Sequence, residues 1–345
     1  MKKLRVVQIG IGHDHATPTI GSLLRQSDIY DVVGFCAGEG EEDRVTDKIR
    51  ATFGNKPLLT VEQALNSNLD AVIVETDDWN LTRYSQIALD AGIPVHMDKP
   101  GGLDQGDFEK MARTAKQKNL PFHTGYMYRY NPLIHQVIED AKAGKYGDVY
   151  CVETHMDCIH PANKRQWLAH FPGGMLYFLG CHLIDLIVQI QGIPQEVRPF
   201  SVSTGLDGVT GEDFGMAMFR YDRGWSFAKT SACEPGGFMR RQMVVCGSKA
   251  TMELRPLEEY VPDGHGLQWT RSRLCEIPSS KGWNDDGVRG VSEPKDRYDA
   301  MMADFAAMVR GEKENPVSLE YECRLHRIIL AACGENIDYK AKIDL

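Results

Sequence analysis

The sequence lacks three features that would each indicate a particular class of protein: a long apolar run, a block of basic residues and an ordered set of cysteines. No apolar stretch reaches the length of about 20 residues that a membrane-spanning helix needs. The segment before Gly10 is too short and too polar for a signal peptide. The net charge is −9 and the chain has no Lys/Arg-rich block, which argues against a nucleic-acid partner. We therefore expect neither a membrane nor nucleic acid among its partners.

The nine cysteines are scattered and include no C-x-x-C pair. An odd number of cysteines without a recurring spacing is typical of reduced thiols rather than of a disulfide framework. Together with the polar amino-terminal segment, this composition predicts a cytoplasmic protein.

Strand and helix patterns alternate along the first part of the chain, and the alternation stops after Tyr126. The alternation predicts a doubly wound parallel sheet, with a third strand at residues 56–60. Later strand-like runs follow one another without helices between them, which predicts an open, mainly antiparallel sheet. Residues 262–294 are rich in Gly, Ser, Asp and charge and are predicted to be a loop. A chain of 345 residues can hold two domains, and we predict an α/β fold with domains at residues 1–123 and 124–345.

A glycine-rich turn follows the first predicted strand. The run after Ile9 reads Gly10-Ile11-Gly12-His13-Asp14-His15 and leads into a helix. Strand, Gly-x-Gly and helix in this order form the arrangement that binds a dinucleotide, because the pyrophosphate lies against glycine backbone at a helix N-terminus. His15 stands where the pattern usually has a third small residue. We expect His13 and His15 to contact phosphate or to cap the helix.

The second predicted strand ends without the acidic residue that usually binds the ribose of NAD. Ala37 and Gly38 occupy that place, and the acidic residues Glu39, Glu41, Glu42 and Asp43 follow. Negative charge there would repel the 2′-phosphate of NADP, so the sequence favours NAD. Arg44 argues the other way, and NADP stays open.

A lysine follows the buried run Val95–Met97, in the triplet Asp98-Lys99-Pro100. The carboxyl edge of an open α/β sheet is where ligands bind, and Pro100 restricts the backbone of Lys99. The alternative is a solvated charge at the end of a strand.

A second group of polar residues lies on an apolar predicted helix that begins at Leu179. His182, Asp185 and Gln189 recur at helical spacing and share one face. Polar side chains on a buried helix need partners, and either a binding site or an internal hydrogen-bond network would supply them.

Four motifs in the same order resemble those of the glucose–fructose oxidoreductase, inositol dehydrogenase and rhizopine catabolism (Gfo/Idh/MocA) family. They are Gly10-x-Gly12, Asp98-Lys99-Pro100, Gly125-Tyr126-x-x-Arg129-Tyr130-Asn131-Pro132 and Gly180-x-His182-x-x-Asp185. The resemblance implies an N-terminal Rossmann domain, a C-terminal α/β domain, NAD(P) as cofactor and a sugar or cyclitol as substrate. It also implies that Lys99 and His182 are the catalytic pair. The family usually has an Asp four residues before that His, where this chain has Phe178.

The candidate residues fall into three groups. Catalysis is predicted for Lys99, which would stabilise a developing alkoxide, and for His182, which would take the hydroxyl proton. The candidates for substrate binding are Asp185, Arg129, Tyr126, His155 and Asp157. The candidates for cofactor binding are Gly10, Ile11, Gly12, His13, Asp14, His15, Ala37, Thr76, Asp77, Asp98 and Lys99.

The motif His155-x-Asp157-x-x-His160 allows two interpretations. His155 and Asp157 share one face of a strand, and with His182 they could bind a divalent metal. This spacing does not form a closed ligand set, so we predict no metal and expect these residues to line the substrate pocket, where they would compensate for Phe178. Lys164 and Arg165 could meet an anionic substrate group or belong to a solvated loop.

The sequence therefore predicts a dehydrogenase that oxidises a secondary hydroxyl of a sugar, polyol or cyclitol with NAD. Two alternatives remain: a glycosidase or lyase of the same family that uses NAD transiently, and an NAD-binding sensor of low activity. We also expect a homo-oligomer, a dimer or tetramer, because one face of an open sheet is left for burial. Residues 214–221 and 225–232 are predicted to contribute to that interface.

Overall fold

The computed structural model describes residues 2–261, 269–278, 283 and 287–345. The chain divides into two compact units. The first consists of Met1–Met127, Tyr298–His326 and Lys342–Leu345, and the second of Tyr128–Arg297 and Arg327–Ala341. Among the described residues, no helix is long and apolar enough to cross a bilayer. The cytoplasmic location stays a prediction.

The first unit is built on a parallel five-stranded sheet in the order β2-β1-β3-β4-β5. Its strands are β1 (Leu4–Ile9), β2 (Tyr30–Cys36), β3 (Ala71–Val74), β4 (Val95–Met97) and β5 (Phe122–Thr124). All four residues of β3 are buried, as expected of a strand whose two faces are both covered. The strand predicted at residues 56–60 is absent, because only Leu58 pairs there, in an isolated bridge to Phe35.

The helices of the first unit follow its strands in sequence: α1 (Ala16–Arg25), α2 (Asp47–Thr52), α3 (Val61–Leu65), α4 (Leu81–Asp90) and α5 (Gln105–Gln117). Capping residues in the local sequence determine where several of these helices begin. The Asp104 side chain accepts a hydrogen bond from the Asp107 N–H at the start of α5, and Thr60 and Gln63 form a capping box at the start of α3. The predicted doubly wound parallel sheet is confirmed.

A late segment of the chain completes this unit, which differs from the predicted division at residue 123. Helix α9 (Asp299–Val309) lies against α1, and Ser22 Oγ donates a hydrogen bond to Asp299 Oδ1 at 2.7 Å. The Tyr30 hydroxyl donates to the carbonyl of Met302. Helix α10 (Leu319–Ala332) contributes Cys323 to the apolar core. The local pattern of residues 298–326 does not show which sheet these helices cover.

The second unit is built on an eight-stranded sheet in the order β15-β14-β11-β10-β6-β9-β8-β7. Every neighbouring pair is antiparallel except β6 and β9, which are parallel. The strands are β6 (Val149–Asp157), β7 (Glu196–Pro199), β8 (Phe214–Tyr221), β9 (Gly224–Ser231), β10 (Gln242–Gly247), β11 (Ala250–Leu254), β14 (Arg273–Pro278) and β15 (Val288–Val291). The mainly antiparallel sheet is therefore confirmed.

Smaller elements complete the second unit. Within its described residues lie α6 (Pro132–Lys142), α7 (Ala162–Trp167) and α8 (Cys181–Gln191), together with the end of α10 from Arg327 onward. A three-stranded sheet contains β12 (Glu259–Tyr260), β13 (Trp269–Arg271) and β16 (Lys295–Asp296). The predicted loop at residues 262–294 is wrong where it covers β13, β14 and β15, and part of it lies outside the described residues.

The two faces of the large sheet differ in what covers them. Thr230 and Gly215 point to the face on which residues 176–180, the turn before α8, are packed, and a Cβ on Gly180 would lie 3.2 Å from Thr230 Cγ2. On the other face the side chains of Met216, Met218 and Phe227 are only partly buried. This alternation with a period of two fixes which residues can meet α8.

Substitution of Gly10 tests whether the loops after β1 and β3 approach each other as closely as the structure shows. Its φ is +102°, and a Cβ there would lie 2.3 Å from the main-chain nitrogen of Thr76. Gly40 is a matched control, because its φ is +80° but a Cβ there meets no atom within 4 Å. We expect Gly40→Ala to lower the free energy of unfolding by about 1–2 kcal/mol through backbone strain alone, and Gly10→Ala to lower it clearly further. Urea unfolding measures both, and equal losses would contradict the close approach of these loops.

Candidate active site

The predicted cofactor-binding residues gather at one edge of the first unit. The loops after β1, β2, β3 and β4 all leave the sheet at its carboxyl edge, because these strands are parallel. Every residue of the predicted set lies in these loops: Gly10, Ile11, Gly12, His13, Asp14, His15, Ala37, Thr76, Asp77, Asp98 and Lys99. Their grouping agrees with the prediction, while their contact with a cofactor stays a prediction.

A buried carboxylate lies where three of these loops meet. Glu41 Oε2 accepts hydrogen bonds from the main-chain N–H groups of Ile11 and Gly38, and its Oε1 accepts one from Asp77 N–H, all at 2.8 Å. The sequence showed Glu41 only as one member of an acidic run. Its turn back toward the sheet depends on a hydrogen bond from its own N–H to the Gly38 carbonyl.

The surroundings of Glu41 fit a dinucleotide. A Cβ on Gly12 would lie 2.4 Å from Glu41 Oε1 and 2.8 Å from the nitrogen of Asp77, so no side chain could stand there. Converging main-chain N–H groups hold anions, and the anion that these three hold is the Glu41 carboxylate. Arg44, which argued for NADP, donates two hydrogen bonds to the Asp77 carboxylate, at 2.8 and 2.9 Å.

Lys99 follows β4 directly, as predicted, and is only 1% exposed. This burial excludes the alternative of a solvated charge at the end of a strand. Its main-chain N–H donates a hydrogen bond of 2.6 Å to Asp98 Oδ1. The residue therefore occupies a defined position at the carboxyl edge of the sheet.

His13 and His15 face carboxylates rather than capping the helix. His15 is the N-cap residue of α1, but its side chain makes no capping hydrogen bond. Its Nδ1 lies 3.0 Å from Asp98 Oδ2, and His13 Nδ1 lies 3.2 Å from the same oxygen. Glu75 and Asp78 approach His13 at 3.7 and 3.6 Å.

Burial and charge set the pKa values in this cluster. Burial lowers the pKa of His15 to about 4, although Asp98 opposes the shift. Burial also disfavours the charged form of His13, but Asp98 and Asp78 outweigh it and raise its pKa well above the ordinary value. Burial, together with the charge of Asp98, raises the pKa of Glu75. These shifts favour a protonated His13 and a neutral Glu75, so the charges within the cluster largely offset one another.

In the second unit, His182 is buried on α8 beside an aromatic ring. Its imidazole lies edge-on to the ring of Tyr128, with centroids 5.0 Å apart. The Tyr128 hydroxyl accepts a hydrogen bond from Arg241 and donates one to Glu258. Burial and the negative charge of Glu258 raise the pKa of Tyr128, so the phenol stays protonated. Tyr128 was not among the predicted site residues, and its only signal was its place inside the Gly125–Pro132 motif.

The other polar residues of α8 form an internal network. Arg129 donates to both oxygens of Asp185, at 2.9 and 2.8 Å, and Gln189 donates to Asp185 Oδ2 at 3.0 Å. Arg129 and Asp185 thus neutralise each other. Tyr126, the remaining member of this motif in the predicted set, is buried in the first unit.

His155 and Asp157 lie on the face of the large sheet opposite α8. His155 is paired in register with Lys229, and the Lys229 ammonium lies 2.9 Å from Asp157 Oδ1. The structure does not bring these two residues together with His182. The shared pocket that we predicted would need all three residues on one face of the sheet, and so would the metal set that we considered as the alternative. Strand alternation shows that two residues share a face but not which face a helix covers.

Phe178 belongs to an aromatic cluster. Its ring stands edge-on to Trp167 at 5.4 Å between centroids, and Phe171 stacks beside it at 6.4 Å. The Lys164 ammonium lies 4.6 Å from the centroid of Phe178. Arg165 is buried in an ion pair with Asp213 at 3.1 Å. A solvated loop at Lys164 and Arg165 is therefore wrong.

Comparison with known proteins identifies the family. Residues 4–126 match the model described as "Oxidoreductase family, NAD-binding Rossmann fold", and residues 134–253 match the GFO/IDH/MocA C-terminal domain. The chain belongs to the Gfo/Idh/MocA family. The first unit therefore contains the family's NAD-binding Rossmann domain, and the predicted resemblance is confirmed.

Curated relatives of this family match the chain over part of their length. An uncharacterized oxidoreductase of Schizosaccharomyces pombe is 29% identical over 47% of this chain and 45% of its own. The oxidoreductase YhhX of Escherichia coli is 27% identical over 68% and 64%. The rhizopine catabolism protein MocA of Rhizobium meliloti is 28% identical over 39% and 42%. The chain thus spans about half the length of these relatives.

Solved structures share the fold across nearly the whole chain. The WlbA dehydrogenase of Bordetella pertussis, in complex with NADH and UDP-GlcNAcA, is 16% identical, covers 97% of this chain and 98% of its own, and has a TM-score of 0.74. The UDP-N-acetylglucosamine 3-dehydrogenase GnnA of Acidithiobacillus ferrooxidans is 17% identical with the same coverage and a TM-score of 0.73. At this level of identity the likeness shows the fold alone.

Proposed function

We propose that this Gfo/Idh/MocA protein is an NAD-dependent dehydrogenase that oxidises a secondary hydroxyl of a sugar, polyol or cyclitol. The observation that carries the proposal is Lys99, a lysine 1% exposed at the carboxyl edge of an NAD-binding sheet. The sugar class is supported by GnnA, a UDP-N-acetylglucosamine 3-dehydrogenase, and by WlbA, a dehydrogenase whose structure is a complex with UDP-GlcNAcA. We assign cofactor binding to the first unit and substrate binding to the second.

In the proposed reaction, the proton of the substrate hydroxyl and the hydride from its carbon go to different acceptors. The Lys99 ammonium donates a hydrogen bond to the reacting hydroxyl and stabilises its developing negative charge. His182, as a neutral imidazole, accepts the hydroxyl proton. NAD, when bound, supplies the hydride acceptor. Phe178 stands where the family usually has an Asp that works with these two groups. This chain therefore lacks that carboxylate beside Lys99 and His182.

Absorbance of NADH tests the reaction class. The protein is mixed with NAD and a panel of sugars, polyols and cyclitols, and we expect net NADH with at least one of them. Product without net NADH would indicate the glycosidase or lyase instead. Binding of NAD without product would indicate the sensor, the alternative that the loss of the family Asp at Phe178 favours.

Substitution of Lys99 or His182 tests their roles on the substrate that responds. We expect Lys99→Ala and His182→Ala each to lower kcat/KM about 10²- to 10⁴-fold, the range for a positioned acid–base group. NAD affinity should change far less. His135→Ala, at an exposed position on α6, serves as the control. A folded His182→Ala variant with near-normal turnover would refute the assignment.

Glu41 is the residue we propose to bind the adenosine ribose, in place of the strand-end acid that is absent at Ala37. Its carboxylate has about four acceptor sites and uses three for main-chain N–H groups. We expect Glu41→Gln to weaken NAD binding about 10- to 100-fold, the range for a hydrogen bond to a charged group. We also expect it to reduce the preference of the protein for NAD over NADP. Calorimetry of both cofactors measures this, with the exposed Glu42→Gln as control. Tighter NAD binding by Glu41→Gln would show that the carboxylate blocks the site.

We also propose a homo-oligomer formed through the partly buried face of the large sheet. Met216, Met218 and Phe227 lie on this face beside Trp225, and all four are apolar. Light scattering at micromolar concentration should return at least twice the chain mass of 38.7 kDa. Met218→Glu should shift the protein toward the monomer, whereas Leu58→Glu, at an exposed site in the first unit, should not. A monomer mass for the unmodified protein would contradict the proposal.

A further inference from the structure

Two imidazoles and three carboxylates are buried together in the first unit. His13, Glu75, Asp78 and Asp98 are each at most 4% exposed, and His15 reaches the surface only in part. They come from the loops after β1, β3 and β4, which are neighbouring strands of the sheet.

The atoms of the cluster are spaced as metal ligands are. His13 Nδ1 and His15 Nδ1 lie 3.2 and 3.0 Å from the same oxygen, Asp98 Oδ2. Bonds of about 2.0–2.2 Å from zinc to nitrogen and oxygen place neighbouring ligand atoms roughly 2.8–3.6 Å apart at tetrahedral or octahedral angles. One ligand atom each from His13, His15 and Asp98 lies within 4.8 Å of the others.

Several polar atoms around this centre are buried without a hydrogen bond. They include His13 Nε2, Asp78 Oδ1 and both carboxylate oxygens of Glu75. Buried polar atoms are normally paired, so the two unpaired Glu75 oxygens, one of them 3.7 Å from His13 Nδ1, call for a ligand. That oxygen is Oε2, and the same ring nitrogen also faces Asp98, so Glu75 can supply a fourth ligand. Asp78 Oδ1 faces the other ring nitrogen, Nε2, at 3.6 Å.

We propose that His13, His15 and Asp98 bind a divalent first-row transition metal, with Glu75 as the fourth ligand. Imidazole with carboxylate suits zinc, iron, manganese or cobalt, whereas calcium and magnesium prefer oxygen alone. The main-chain N–H of His15 now donates to His13 Nδ1 at 3.1 Å, and a metal on that nitrogen would replace this contact. The burial is typical of a structural ion, which would tie the three loops together. The proposal does not depend on the proposed dehydrogenase activity.

Cobalt titration of the full-length protein tests the proposal. The untagged chain is treated with EDTA and titrated with CoCl₂, and visible absorption, calorimetry and thermal unfolding are followed. We expect about one cobalt ion per chain, ligand-field bands without thiolate charge transfer, and a higher Tm with metal than without. His13→Gln and Asp98→Asn should each abolish the bands, and the exposed His135→Gln should keep them. His15→Gln serves as a further variant if Asp98→Asn does not fold.

A second group of metal-ligand type requires its own control. Cys151, Glu153 and Cys246 lie together on the large sheet and would bind cobalt through sulfur. Cys151→Ser should therefore leave the expected bands intact. The proposal is overturned if the unmodified protein binds no cobalt, or if binding is lost in Cys151→Ser but survives in both His13→Gln and His15→Gln. NAD affinity, measured with and without metal, separates this outcome from a failure of the proposed function.

Discussion

Parallel pairing of β1, β3 and β4 brings three loops out of the sheet at a single edge, and the chemistry of the first unit depends on this constraint. It places the N–H groups of Ile11 and Asp77 where both reach the Glu41 carboxylate. It also places Lys99 and Asp98 beside the loop that carries His13. These residues come from separate loops that are far apart in sequence. The direction of the strands alone makes them neighbours.

Motifs that are local in sequence could be interpreted correctly from the sequence. Gly10 and Gly12 require the absence of a side chain, and the structure shows main-chain atoms and a carboxylate where a Cβ would stand. Lys99 follows a short apolar run that can only be a buried strand, so its place at the sheet edge followed from pattern and strand direction. In these cases the physical cause lies within a few residues of the motif.

Contacts between residues that are distant in sequence could not be predicted from the sequence. Glu41 stands four residues after the expected position and acquires its contacts only because the loop turns back at Gly38. His155 and Asp157 share a face, as alternation requires, but nothing in β6 shows that α8 covers the other face. Phe178 is an apolar residue in an apolar run, and its contacts with Trp167 and Lys164 come from another helix. Each of these contacts was missed for the same reason, because the residue on the other side of the contact is distant in sequence.

The contribution of residues 298–326 to the first unit has a consequence for how the protein is made. Phe305 is fully buried and its ring lies 5.6 Å from that of His96, while Thr124 donates a hydrogen bond to Glu322. A ribosome has synthesised all five parallel strands nearly two hundred residues before it reaches these partners. Part of the apolar surface of the nascent nucleotide-binding sheet must therefore stay uncovered until Tyr128–Arg297, the larger part of the second unit, has been synthesised.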